Sequence, residues 1–194
     1  MLYQLDTQIN WIHKSIEDTL VMIPMKFSDI PTSLAWQFTH TLPGTFKRNR
    51  PEQLHMDFPI LAPLPKEKYL TLPLEGHDVN GPFIYFITDG FGELCYIGKT
   101  KESNVLRRWI RPGNGGPTTH YWTHSVKNGG CVFNIAEGLK LKKGPYDLRF
   151  ISLNLLKSAL HPNFEISSDL PIDIELEQTE SYLISILKPI WNRR

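Results

Sequence analysis

An α+β fold, with a small central antiparallel or mixed sheet flanked by helices, is predicted from three observations along the chain. Phe83–Thr88 and residues 93–97 are strand-like runs joined by Asp89-Gly90-Phe91-Gly92, which has the composition of a hairpin turn. Residues 131–136 and 148–153 read as further strands. Residues 7–23 and 173–187 instead carry apolar side chains at helical spacing, and such a mixture is the signature of helices packed on a sheet.

The first predicted element is an amphipathic helix over 7–23, with Ile9, Ile12, Ile16, Leu20 and Ile23 on one stripe, Asp6 or Thr7 as cap and Pro24 as stop. Eight of the fifteen prolines precede residue 74, so an extended arm or irregular wrap follows, with a short helix near 32–38. Trp36, Phe38, Phe46 and Phe58 argue against disorder and for packing on the rest of the chain or on a second copy. The chain thus divides into residues 1–80, helix and arm, and residues 81–194, the candidate functional domain.

In the hairpin, side-chain alternation puts Tyr85 on a face with Phe83 and Ile87, and Tyr96 on a face with Leu94 and Gly98, so pairing can bring two phenols onto one surface. Ser103 or Asn104 then caps a predicted helix through Ile110, ended by Arg111-Pro112-Gly113. A second helix is expected over 117–128, closed by Gly129-Gly130. After the two strands come a short helix over 155–160 and, opened by Ser168 or Asp169 with Pro171, the helix over 173–187. In that last helix Glu180 sits among Leu176, Leu183, Ile184 and Leu187, an apolar stripe where a charge must be paired or hold a metal. Glu175 and Glu177 have more polar neighbours and read as a solvated face.

With 41% hydrophobic and 11% aromatic residues, the chain can build a full core. No apolar run approaches the ~20 residues that span a bilayer, and no signal segment opens the sequence, so a cytoplasmic protein without a membrane partner is expected. Cys95 and Cys131 are expected as two buried thiols. The net charge of +1 conceals an asymmetry: between Lys99 and Arg149 there are ten Lys or Arg against three acids, leaving the rest at −6. A basic middle between acidic ends is what a polyanion-binding face requires. Lys47-Arg48-Asn49-Arg50 adds a small basic loop in the arm.

Tyr85 in Phe83-Ile84-Tyr85, the tripeptide Tyr96-Ile97-Gly98 followed by Lys99, Arg108 beside Trp109, Glu180, and Asn192 close behind Pro189 stand in one order and spacing. Over roughly residues 81–194 this constellation resembles the GIY-YIG nuclease family, which cuts nucleic-acid phosphodiesters with one divalent metal. Phe83 departs from the family's usual glycine, and the segment before Arg108 is about two residues longer than the common spacing, so Arg107 competes with Arg108. The resemblance implies Tyr85, Tyr96, Lys99, Arg108, Glu180 and Asn192 as the catalytic set, with Glu180 holding Mg²⁺ or Mn²⁺. Gly98, Lys101, Arg107, Arg111, His120 and His124 are then candidates for nucleic-acid contact.

His120 and His124, four apart on the second predicted helix, have the spacing of a metal pair but lack the accompanying Glu or Cys ligands of a zinc site. Many relatives carry a histidine where this chain has Pro112; His120, Tyr121 or His124 could supply it, and packing roles for them stay open. The chain extends two residues beyond Asn192. A compact enzyme of restriction or phage type acting on double-stranded DNA is therefore expected, as a dimer if both strands are cut. A structure-specific repair or resolution nuclease and a catalytically silent nucleic-acid-binding module are the alternatives.

Overall fold

The computed structural model describes residues 25–42, 45–46, 56–57, 60–62, 64–65, 81–112, 119–122, 130–160 and 170–192. The strands are β1 (Ser33–Phe38), β2 (Thr41–Leu42), β3 (Thr45–Phe46), β4 (Met56–Asp57), β5 (Ile60–Leu61), β6 (Leu64–Pro65), β7 (Phe83–Thr88), β8 (Leu94–Thr100), β9 (Ile110–Pro112), β10 (Thr119–Trp122) and β11 (Tyr146–Ser152). The helices are α1 (Cys131–Lys140), α2 (Leu153–Leu160) and α3 (Ile172–Leu187), so the fold is α+β as expected.

Every residue of β7 is buried, because helices cover both faces of the sheet it centres. That sheet runs β1-β11-β7-β8 with all neighbours antiparallel. On one face Phe83, Tyr85 and Ile87 pack with Val132 and Ile135 of α1 and with Leu106 and Trp109. On the other, Ile84 and Phe86 pack with Leu153 and Leu156 of α2 and with Leu176 and Leu183 of α3. Burying a large apolar side chain contributes about 1.5–3 kcal/mol, so the strand sandwiched between these two clusters anchors the fold. No helix among the described residues is long and apolar enough to cross a membrane.

Four expectations are corrected. Residues 33–38 form β1, not a helix, and lie beside β11 in the central sheet. A bulge between Leu34 and Trp36 puts the buried Ala35 and Phe38 three apart, a spacing that imitates a helix. The helix expected through Ile110 shrinks to a 3₁₀ turn, Val105–Arg108, where the Asn104 side chain accepts from the Leu106 amide at 2.8 Å. One short turn suffices to bury Leu106 and Trp109 and leave both arginines exposed.

Thr119–Trp122, placed in a helix by the sequence, is β10, paired with β9 and β6; Thr, Tyr and Trp favour the pleated surface. Conversely the strand expected over 131–136 is the start of α1, whose buried Cys131, Val132, Ile135 and Ala136 have helical period. Strands β7, β8 and β11 and helices α2 and α3 fall where expected. The helix over 7–23 and the basic loop at Lys47 to Arg50 lie outside the described residues.

β8 is an edge strand, and the chain after α3 returns to cover part of it. The Trp191 amide donates to the Cys95 carbonyl at 2.7 Å. Asn192 acts as a one-residue strand: its Oδ1 accepts from the Ile97 amide at 2.7 Å and its Nδ2 donates to the Ile97 carbonyl at 2.8 Å. Edge groups that would otherwise be open to a foreign strand are thereby satisfied, and the end of α3 is tied to β8. Asn192→Ala, which leaves both Ile97 groups unmade, is expected to lower stability in urea by about 1–3 kcal/mol.

Candidate active site

Tyr85 stands opposite Gly98 and Ile87 opposite Tyr96 in the β7–β8 ladder, so both phenols occupy one face as a diagonal pair. Their ring centroids are 6.2 Å apart, and Trp109 packs edge-on against Tyr85 at 5.3 Å. The Tyr85 ring lies directly over Gly98, where an added Cβ would come within 2.4 Å of it. Glycine is required at 98 for this close approach, which leaves the Tyr85 side chain buried beneath the half-buried Tyr96.

The C-terminal segment lines β8 as far as Ile97, and beyond that point a cleft of about 560 Å³ opens around the strand's end. Tyr85, Tyr96, Lys99, Arg108 and Glu180 all line it. Four separate elements supply them: β7, β8, the 3₁₀ turn and α3. Among the described residues Arg108 is the arginine that lines the cleft, and Arg107, also exposed, does not.

Glu180, with only 16% of its side chain exposed, receives a hydrogen bond from Lys99 Nζ to its Oε2 at 2.6 Å. Lys99 also pairs with Glu177, one turn back on the same face of α3. Burial lowers the Lys99 ammonium, but hydrogen bonds to Glu177 and Glu180 outweigh it and raise the group above its ordinary value. At the cleft mouth Lys101 pairs with Asp173 at 3.1 Å. The sequence missed Glu177, which is exposed but joined to the site; the available signal was its position three residues before Glu180. Glu175, expected on the same solvated face, is buried and pairs with Lys157 of α2.

Both phenols are held neutral. Burial first, then the neighbouring Tyr96 and Cys131, push Tyr85 well above the usual phenol value, and Arg108 offsets only part of this. Burial, with Cys131 and Glu180, pushes Tyr96 up to about 12, although Arg108 and a hydrogen bond with Tyr85 pull it back. These hydroxyls can orient and donate to an anion or water, whereas deprotonation of either is opposed by its surroundings.

The remaining expected contacts are dispersed. Asn192, expected with the catalytic set, clamps Ile97 and is not among the residues lining the cleft, an arrangement that suits a positioning residue. Arg111 and His120 lie on β9 and β10, with His120 opposite Pro112; with His120 in a strand, no shared helix face unites it with His124, which lies outside the described residues. Arg149 is turned to Thr32 and Asp147, and Lys140 at the end of α1 and Lys142 and Lys143 on the segment joining it to β11 are exposed. Among the described residues the basic excess therefore does not form one continuous face. Cys95 and Cys131 are buried free thiols, as expected.

Among the described residues no three His, Cys, Asp or Glu side chains gather as a metal cage. The residue that could serve as ligand to a hard dication of the Mg²⁺ or Mn²⁺ kind is Glu180. Such an ion takes one or two carboxylates, keeps several waters and completes its shell with substrate oxygens, and Glu180 faces an open cleft where those could enter. Comparison of the chain with protein-family models, with curated proteins and with solved structures finds no match.

Gly98→Ala is expected to displace Tyr85 and cost about 1–3 kcal/mol in urea unfolding, the usual penalty for overpacking. An alkaline titration reads the phenols. A tyrosine whose folded value exceeds its unfolded value near 10 keeps its proton while the unfolded chain loses it. The associated stability is therefore whole below about pH 10 and declines as pH rises toward 12. Tyrosinate absorbance should show a late-ionising component that diminishes in Tyr96→Phe.

Proposed function

We propose that this protein is a metal-dependent endonuclease of the GIY-YIG type that hydrolyses phosphodiester bonds by in-line attack of water. The observation that carries this reading is that Tyr85, Tyr96, Lys99, Arg108 and Glu180, from four elements, are all among the residues lining a single cleft. Those five side chains are the ones whose order along the chain resembles that family. A cytoplasmic enzyme acting on double-stranded DNA, of restriction or phage type, is the form the reading takes.

Phosphodiester hydrolysis develops negative charge on the phosphate oxygens, so stabilisation of that charge must account for much of the barrier reduction. Arg108 presents a permanently charged fork to one phosphate oxygen pair, a geometry that guanidinium fits better than ammonium. Tyr85 donates to the Tyr96 oxygen, which leaves the Tyr96 proton for the phosphate and the Tyr85 oxygen lone pair to hold the attacking water in line. As the new P–O bond forms, the P–O bond to the leaving sugar oxygen breaks; the water's proton goes to solvent and the leaving oxygen takes one from solvent, since both phenols retain theirs at neutral pH. Glu180 would hold the divalent cation, which when bound supplies Lewis-acid neutralisation of a non-bridging oxygen.

A second reading, a catalytically silent nucleic-acid-binding module, is favoured by one observation: Glu180 already has a counter-ion in Lys99. Plasmid nicking separates the two. The wild-type protein is expected to relax supercoiled plasmid with Mg²⁺ and not with chelator. Arg108→Ala should be slower by about 10²–10³, the range for loss of one oxyanion donor. Glu180→Ala should show no cutting above background. Metal-independent nicking, or full activity in Glu180→Ala, refutes the nuclease assignment, and plasmid retention without nicking supports the silent module.

A further inference from the structure

Glu177 and Glu180 lie three residues apart on one face of α3, and a single ammonium, Lys99 Nζ, is hydrogen-bonded to Oε2 of each. Glu180 is the more enclosed, at 16% side-chain exposure, while Glu177 is 64% exposed at the outer side of the same pair. A carboxylate set between Leu176 and Leu183 would be strongly penalised without a partner, and Lys99 is that partner. The carboxylate assigned to the divalent cation under the nuclease reading is therefore one from which a cation must first be removed.

We propose that metal entry is an exchange of cations. Lys99 is the resident counter-ion of Glu180, the incoming dication displaces it, and Glu177 retains the released ammonium at the cleft wall. Lys99 and Glu177 are then positioning residues for the metal. The flexible four-carbon stem of lysine permits a swing from two carboxylates to one, without movement of β8 or α3.

Charge counting explains why two acids share one base. The triad of Lys99, Glu177 and Glu180 carries one net negative charge, and Glu102, which also lines the cleft, adds a second, so the site favours a dication over a single ammonium. Lys101 and Asp173 cancel each other at the mouth and do not alter this balance. The exchange rests on the nuclease reading only in taking Glu180 as the metal ligand.

The test is Mn²⁺ binding to the full chain without DNA, followed by calorimetry, with circular dichroism to establish folding. Lys99→Met is expected to bind Mn²⁺ about tenfold or more tightly than wild type, as loss of a competing ion pair of about 1.4 kcal/mol would give. Lys101→Met makes the same charge change beside the cleft without touching Glu180, and should shift affinity by no more than about twofold. If Lys99→Met fails to fold, Lys99→Gln, which keeps a donor and removes the charge, carries the same expectation. Glu177→Gln should weaken Mn²⁺ binding in the wild-type background and have less effect in the Lys99→Met background.

Equal or weaker binding in the Lys99 variants, with binding still lost in Glu180→Gln, overturns the exchange and leaves the nuclease reading standing. Equal tightening by Lys99→Met and Lys101→Met reduces the effect to general electrostatics and also overturns it. Absence of Glu180-dependent binding in every variant removes both the exchange and the metal assignment.

Discussion

A half-enclosed carboxylate that must not be left alone organises the candidate site. Glu180 occupies a helix face otherwise given to Leu176 and Leu183, and its charge is tolerable there because Lys99 reaches it from the end of β8. That requirement draws α3 against the edge strand. Lys101 with Asp173 at the start of the helix, Lys99 with Glu177 and Glu180 along it, then Cys95 with Trp191 and Ile97 with Asn192 beyond it, lace the helix and its tail to β8. The cleft is what remains where this lacing leaves the strand's end uncovered.

The opposite wall obeys a packing constraint instead of an electrostatic one. Tyr85 fits only because Gly98 has no side chain, and Trp109 closes the ring in from the side. A phenol already keeps its proton at neutral pH, and this enclosure moves its ionisation still further into the alkaline range, an effect the half-buried Tyr96 shares. One wall thus presents fixed neutral donors and the other exchangeable charges. An anionic substrate entering between them would meet Arg108 on the exposed 3₁₀ turn, the permanent positive charge of the first wall.

Much of this arrangement is legible along the chain. The hairpin could be read because Asp89-Gly90-Phe91-Gly92 carries its turn chemistry locally, and the Asp89 side chain does accept from the Phe91 and Glu93 amides, each at 2.9 Å. The α3 stripe was equally plain, since sixteen residues leave little doubt about period. Shorter elements misled. Residues 33–38 imitate a helix through a bulge, and residues 131–136 imitate a strand because six residues of α1 span under two turns. At Thr119–Trp122 the deciding factor was pairing with β9 and β6, which no local window contains.

The amino-acid sequence alone determined where the hairpin and the long helix lie and that Glu180 needs a partner, because each follows from spacing within one element, while the candidates for chemistry came from the resemblance of an order of residues to a family. Tertiary structure decided the identity of that partner. It also chose Arg108 over Arg107, made Asn192 a clamp on Ile97, and brought Glu177 to Lys99 across 78 residues of chain. Those outcomes depend on which elements pack side by side, and packing is set by the summed burial of two cores, a quantity that no single stretch of sequence carries.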